Sequence, residues 1–127
     1  MDSPLSIRDS QSILVVDDMA VNRMILGKIL ENMGMSVQYS VNGKCAYERC
    51  KITNFLLILM DLSMPVMNGI DSLTHIRTDS LNMNTPAVFV TANTLDIASS
   101  AKLAFPVVLI VQKPFGIEQL EIRRRSI

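Results

Sequence analysis

The stretch that decides the fold is residues 13–18, Ile-Leu-Val-Val-Asp-Asp. Its first four residues are apolar on both faces, which is typical of a strand buried inside a parallel sheet. Residues 55–60, FLLILM, have the same character, and an acidic residue, Asp61, follows them as well. In open parallel sheets, ligands bind beyond the carboxyl ends of the strands. Two buried strands that each end at acidic residues therefore predict a polar site at one rim of the sheet.

Short apolar runs alternate with helical patterns on both sides of these two strands. Further strands are predicted at 35–40, 87–90 and 107–111, and helices at 20–33, 44–51, 70–77, 95–104 and from 116 onward. The run 35–40 alternates apolar and polar residues, which favours a place nearer the edge of the sheet. Five β-then-α units predict one α/β domain, a five-stranded parallel sheet with helices on both faces. We expect residues 1–11 to be a flexible leader and 12–127 to form the domain.

The composition is that of a single globular domain without an excess of positive or negative charge. The chain has 127 residues, of which 49% are hydrophobic, and 12 basic residues balance 12 acidic ones. A neutral balance gives no bulk attraction to nucleic acid or to an acidic membrane. The longest apolar run is too short to cross a bilayer, and the N-terminus lacks the basic-then-apolar order of a signal peptide. We therefore expect a cytoplasmic domain that contacts neither nucleic acid nor membrane.

Residue types that often carry other chemistry have simpler interpretations here. Cys45 and Cys50 lie five residues apart in one predicted helix, which favours reduced thiols over a disulfide framework. His75 is the only histidine, so the sequence lacks a Cys/His metal grouping. Three arginines at 123–125 fit favourable charge at a helix C-terminus or the start of a linker better than a nucleic-acid contact.

Polar residues stand at the carboxyl ends of four predicted strands, so a parallel sheet places them on one rim. They are Asp17, Asp18, Asp61, Thr91 and Lys113. Three carboxylates held together repel one another unless a cation joins them, and few protein ligands with open positions favour Mg²⁺. A carboxylate is also a nucleophile toward phosphorus, with the ammonium of Lys113 and the hydroxyl of Thr91 as partners for a phosphoryl group. For Asp17 and Asp18 taken alone, turn or helix capping is the competing interpretation.

These motifs resemble the receiver domains of two-component response regulators and, in particular, those of hybrid histidine kinases. The resemblance covers residues 12–115. The motifs that carry it are ILVVDD (13–18), DDMAVNR (17–23), MDLSMPVMNG (60–69), TAN (91–93) and KP (113–114). It implies a flavodoxin-like (βα)5 fold with strand order 2-1-3-4-5. It also implies a phosphorelay signalling module that is not an enzyme, although it assists its own phosphorylation and dephosphorylation. If the domain were excised from a hybrid kinase, the parent would be a kinase.

The resemblance implies a role for each acidic residue of the rim. Asp61 is then the phosphoacceptor, and its donor is a histidine kinase or a histidine phosphotransfer protein. Asp18 and Asp61 bind Mg²⁺ directly, Asp17 helps through water, and the backbone carbonyl of Ser63 is a further ligand.

The resemblance also implies how a phosphoryl group is held and read. Thr91 and Lys113 grip it. The fourth helix, fifth strand and fifth helix, the 4-5-5 face, then meet a second copy or a downstream effector.

Three departures from the family pattern motivate an alternative function. Ile110 stands where most receivers have an aromatic switch residue, Phe105-Pro106 replaces a common Ala-Gly pair, and Val108 and Leu109 lengthen the last apolar run. These departures favour, as the alternative, a receiver-like module that binds proteins whatever its phosphorylation state. A phosphatase or phosphotransferase with an Asp nucleophile is a third hypothesis. It is disfavoured because such enzymes carry a second Asp two residues after the nucleophile, where this chain has Ser63.

Overall fold

Strands and helices alternate along the chain, as the sequence pattern predicts. The computed structural model describes residues 12–62, 64–91 and 109–112, with the backbone alone for Thr91 and 109–112. The elements are β1 (Ser12–Val16), α1 (Ala20–Asn32), β2 (Ser36–Ser40), α2 (Gly43–Cys50), β3 (Leu57–Asp61), α3 (Gly69–Thr78), β4 (Ala87–Thr91) and β5 (Leu109–Gln112). The predicted leader and the predicted helices at 95–104 and from 116 onward lie outside the described residues.

The five strands form one parallel sheet in the order β2-β1-β3-β4-β5. In its centre, Ile13 of β1 pairs with Val37 of β2 on one side and Leu57 of β3 on the other. The predicted strand order is confirmed, and so is the place of the alternating strand β2 at the edge. The order reverses between β1 and β3, which opens a crevice at the carboxyl ends of these two strands.

Two hydrophobic cores lie on opposite faces of the sheet, because successive side chains of a strand point to opposite faces. On one face, Leu14 and Met60 pack with buried residues of α2 and α3. On the other, Val15 and Leu59 pack with buried residues of α1, such as Leu26. β1 and β3 are buried on both faces, so both sequence runs are apolar throughout. Helices on both faces are thereby confirmed.

Two element boundaries have identifiable physical causes. The apolar run starts at Phe55, but β3 begins at Leu57, because the Phe55 N–H donates to the side chain of Asn82 rather than to a strand. Helix α1 ends at Asn32, and Gly34 follows with a φ of 85°. That left-handed conformation suits glycine, so Gly34 marks the end of the helix.

The two cysteines are both free thiols. Burial raises the pKa of the Cys50 thiol to about 12. The thiolate is the nucleophilic form, so Cys50 is unreactive at neutral pH. Among the described residues, no helix combines the length and apolarity needed to cross a membrane.

Candidate functional site

Three carboxylates meet at the rim where β1 and β3 end. Asp17 and Asp18 follow β1 directly, and Asp61 is the last residue of β3. One carboxylate oxygen from each lies within 4.8 Å of the others. Asp17 is 1% exposed and Asp61 6%, whereas Asp18 faces solvent. The structure thus brings together the three acidic residues that the sequence marked, two of them inside the protein and one at its surface.

The other predicted site residues fall at the limit of what the structure describes. The backbone of Thr91 ends β4 and pairs with Gln112, so it lies on the same rim of the parallel sheet as Asp61. Its side chain is outside the described part, and so are Ser63 and Lys113. The roles predicted for these three residues stay predictions.

Asp17 is held on every side by hydrogen bonds. Its N–H donates to the Ser40 carbonyl at the end of β2 (3.2 Å). Its carboxylate oxygen Oδ1 accepts the Met19 N–H at 3.0 Å and faces the Asn22 amide at 3.5 Å. Its own carbonyl accepts from the Arg23 guanidinium at 2.8 Å. The turn interpretation of Asp17 is confirmed, because its carboxylate closes the turn before α1. It does not cap the helix, whose N-cap is Met19. The same carboxylate also belongs to the acidic cluster.

The loop after Asp61 is anchored close to the acidic cluster. Leu62 and Met64 are buried in the core, and the Gly69 N–H donates to the Leu62 carbonyl at 3.0 Å. A Cβ on Gly69 would lie 2.4 Å from the backbone oxygen of Asp61. Glycine therefore allows the start of α3 to pack directly against the end of β3.

A tight turn at the tip of this loop carries backbone strain. The Met67 N–H donates to the Pro65 carbonyl at 2.8 Å, and Val66 between them has a φ of 73°. A β-branched residue at positive φ is uncommon, and such strain costs about 1–3 kcal/mol. Strained backbone clusters near functional sites, and this residue lies five positions after Asp61.

The donor set fits a hard divalent cation. All three side chains offer carboxylate oxygens, which are the ligands that Mg²⁺ prefers, and Mg²⁺ keeps several waters in an open site. Two of the carboxylates are buried. A cation held by Asp17, Asp18 and Asp61 would offset the repulsion among the three carboxylates.

The family profile of the response regulator receiver domain matches residues 13–124. This chain belongs to that family. Among solved structures, the receiver domain of sensor histidine kinase PA1611 from Pseudomonas aeruginosa has a TM-score of 0.81 and 28% identity, covering 91% of this chain and 96% of that one. That receiver domain has a magnesium ion coordinated in its active site cleft.

Curated relatives of this receiver domain include regulators and sensor kinases. The transcriptional regulatory protein CrdR from Helicobacter pylori is 35% identical over 112 residues, which are 87% of this chain and 51% of that protein. The signal transduction histidine-protein kinase BarA from Escherichia coli is 36% identical over 86 residues, which are 68% of this chain and 9% of that protein. The receiver domain thus spans about half the length of the first relative and a small part of the second.

Two residues that contact Asp17 received no role from the sequence. Asn22 and Arg23 belong to the first turn of α1, and both belong to the DDMAVNR motif. Their positions five and six residues after Asp17 place them on the turn that faces the end of β1. That spacing was the available sequence signal. Without the hydrogen bonds, it does not show whether the two side chains face solvent or contact the site.

Proposed function

We propose that this receiver domain is the phosphoacceptor of a two-component phosphorelay, with Asp61 as the phosphorylated residue. The donor is a phosphohistidine on a histidine kinase or a histidine phosphotransfer protein. The supporting observation is the cluster at the rim, in which carboxylate oxygens of Asp17, Asp18 and Asp61 lie within 4.8 Å of one another. Asp61 ends the central strand β3, so its carboxylate has a rigid support.

In the proposed step, a carboxylate oxygen of Asp61 attacks the phosphorus atom of the donor. The new O–P bond forms as the P–N bond to the donor histidine breaks, and the imidazole leaves with that electron pair. Phosphoryl transfer depends mainly on positioning and on neutralising charge. Mg²⁺, when bound by Asp18 and Asp61 directly, by Asp17 through water and by the carbonyl of Ser63, supplies the positive charge that lets two anionic groups approach.

The remaining site residues are assigned to the phosphoryl group. Thr91 donates its hydroxyl hydrogen to a phosphoryl oxygen, and the ammonium of Lys113 pairs with the added charge. Thr91 and Gln112 are paired at the ends of β4 and β5, and this backbone pairing supports assigning Thr91 and Lys113 to one rim. Movement of Thr91 toward the phosphoryl group then biases the 4-5-5 face toward a second copy or a downstream effector.

The domain acts as a switch and not as an enzyme in its own right. Asp61 is consumed as the phosphoryl group arrives and regenerated when water removes it, so the domain assists only its own phosphorylation and dephosphorylation. We assign the receiver domain to residues 12–127, with 1–11 as a leader, and place it in the cytoplasm, where a kinase and Mg²⁺ are available.

The decisive experiment is intact-mass spectrometry after incubation with Mg²⁺ and acetyl phosphate. The native protein should gain one phosphoryl mass and Asp61→Asn none. Asp71→Asn is the matched control, because Asp71 is an exposed carboxylate on α3 outside the cluster, and it should gain the same mass as the native protein. Equal uptake by Asp61→Asn would overturn the assignment. No uptake from acetyl phosphate or from a phosphohistidine protein, by a folded chain that binds Mg²⁺, would favour the phosphorylation-independent binding module.

A further inference from the structure

Two side chains of the first turn of α1 contact Asp17 and have no role in the proposed reaction. The guanidinium of Arg23 donates to the Asp17 carbonyl oxygen at 2.8 Å. The amide of Asn22 faces the Asp17 carboxylate at 3.5 Å, on the oxygen that also accepts the Met19 N–H. Arg23 is itself tied into the helix, because its N–H donates to the Met19 carbonyl at 3.1 Å.

The Asp17 carbonyl accepts from a helix because of its place in the fold. Residue 17 follows the last residue of β1, while its N–H is bonded to the Ser40 carbonyl of β2. A buried backbone carbonyl nearly always accepts a hydrogen bond. Here the donor is the side chain of Arg23 on helix α1, not the backbone of a neighbouring strand. The contact connects the backbone of Asp17 to α1, which is a rigid element. Such rigid support fixes the direction of the Asp17 carboxylate.

We propose that Arg23, assisted by Asn22, is a positioning residue that holds Asp17 in the orientation needed for divalent-cation binding. The inference rests on the proposed function, because it assigns these residues to the cation site of the same rim. Arg23 touches neither the cation nor the phosphoryl group in this assignment. It acts through the backbone of Asp17, and Asn22 acts through the carboxylate.

An electrostatic role and a positioning role of Arg23 predict opposite changes in cation affinity when its side chain is removed. A fixed positive charge next to the backbone of Asp17 competes with a cation bound at the cluster, so its removal alone would tighten cation binding. Loss of a group that orients a ligand weakens metal affinity, typically by 10–100-fold. The 2.8 Å contact to the Asp17 carbonyl favours the second effect. The sign of the change therefore separates a positioning role from a purely electrostatic one.

The test is an NMR titration of the whole chain with MgCl₂ at constant ionic strength, without any phosphodonor. Backbone amide shifts give the Kd, and the Met19 N–H reports on the Asp17 carboxylate to which it is bonded. Arg23→Met keeps the apolar stem and removes the donors, and it should raise the Kd about tenfold. Arg23→Lys should recover part of this loss. Lys28→Met is the matched control, an exposed lysine on the same helix, and it should leave the Kd within about twofold.

A double-mutant comparison shows whether Arg23 acts through Asp17. In an Asp17→Asn background, Arg23→Met should change the Kd by less than about twofold, because the carboxylate that it positions is already gone. An unchanged or tighter Kd for folded Arg23→Met would overturn the proposal. If Arg23→Met does not fold, Asn22→Ala and Arg23→Lys decide, and native affinity in both would overturn it. Failure of the proposed function is a separate result, since it requires a native chain that binds Mg²⁺ without accepting a phosphoryl group.

Discussion

At the scale of single residues, the side chain of Asn82 connects three segments of the fold through hydrogen bonds, a role that the sequence does not predict. Its side chain is fully buried. The amide oxygen accepts from the Phe55 N–H at 2.7 Å and from the Thr85 hydroxyl at 2.9 Å. The amide nitrogen donates to the carbonyls of Cys50 at 2.9 Å and Thr53 at 2.7 Å. One side chain thus joins the end of α2, the entry to β3 and the approach to β4.

Replacing Asn82 by alanine should lower the free energy of unfolding by about 3 kcal/mol or more. The substitution removes four hydrogen bonds and leaves buried partners unpaired, each at about 1–3 kcal/mol, with some relief from entering water. Asn84→Ala, an exposed asparagine in the same loop, should change it by less than about 0.5 kcal/mol. Urea unfolding measures both. A loss below about 1 kcal/mol for Asn82→Ala, with an unchanged m-value, would contradict this role.

The sequence predicts the position of the acidic residues but not the role of Asn82, and the difference has a physical reason. Asp17, Asp18 and Asp61 each follow an apolar run, so strand periodicity alone is enough to place them at the rim. Asn82 lies in a polar loop, SLNMNTP, in which asparagine is an ordinary turn residue. Whether such a side chain points to water or inward depends on backbone carbonyls that are distant in sequence.

At the scale of helices and strands, both Asn-Gly pairs of the chain begin helices. The sequence favours a turn at 42–43 and a loop at 68–69, with the helices starting one residue later. Instead, Asn42 accepts the Cys45 N–H at 2.8 Å and Asn68 accepts the Asp71 N–H at 2.9 Å, so each caps a helix. A Cβ on the following glycine would meet backbone, 2.4 Å from the Met67 oxygen at Gly43 and 2.4 Å from the Asp61 oxygen at Gly69.

Gly69→Ala should therefore lower stability and also disturb Asp61, the proposed phosphoacceptor. Its new methyl group meets backbone atoms of Asp61 and Leu62, which cannot rotate away, so we expect a loss of about 3 kcal/mol and slower phosphoryl uptake. Gly27→Ala is the control within α1, because its methyl group meets only side-chain atoms, the hydroxyl and ring of Tyr39, which can move aside. It should cost about 1 kcal/mol and leave uptake unchanged. Urea unfolding and intact mass after a fixed time with acetyl phosphate test the pair, and equal losses would refute the contrast.

At the scale of the whole molecule, the sheet order brings three carboxylates to one rim. Because β1 and β3 are neighbours and parallel, their terminal carboxylates share one rim, and two of the three are buried. Alternating elements in the sequence were enough to predict the parallel sheet and the shared rim. The sequence did not predict how deeply Asp17 and Asp61 are buried, because burial depends on how α1 and the loop after β3 close over the rim.

This arrangement predicts that the stability of the molecule depends on Mg²⁺ and on Asp18. Without divalent cations, Asp18→Asn should raise the free energy of unfolding by about 1 kcal/mol, because it removes one of three mutually repelling charges near the surface. Saturating Mg²⁺, at about 100 times the Kd, should stabilise the native chain by about 2.7 kcal/mol and Asp18→Asn by much less.

Asp71→Asn is the control and should behave like the native chain in both conditions. Urea unfolding with and without MgCl₂, at ionic strength matched with KCl because salt screens surface charge, tests this. If Asp18→Asn and Asp71→Asn behave alike, the three carboxylates do not act as one cation site, although one oxygen of each lies within 4.8 Å of the others.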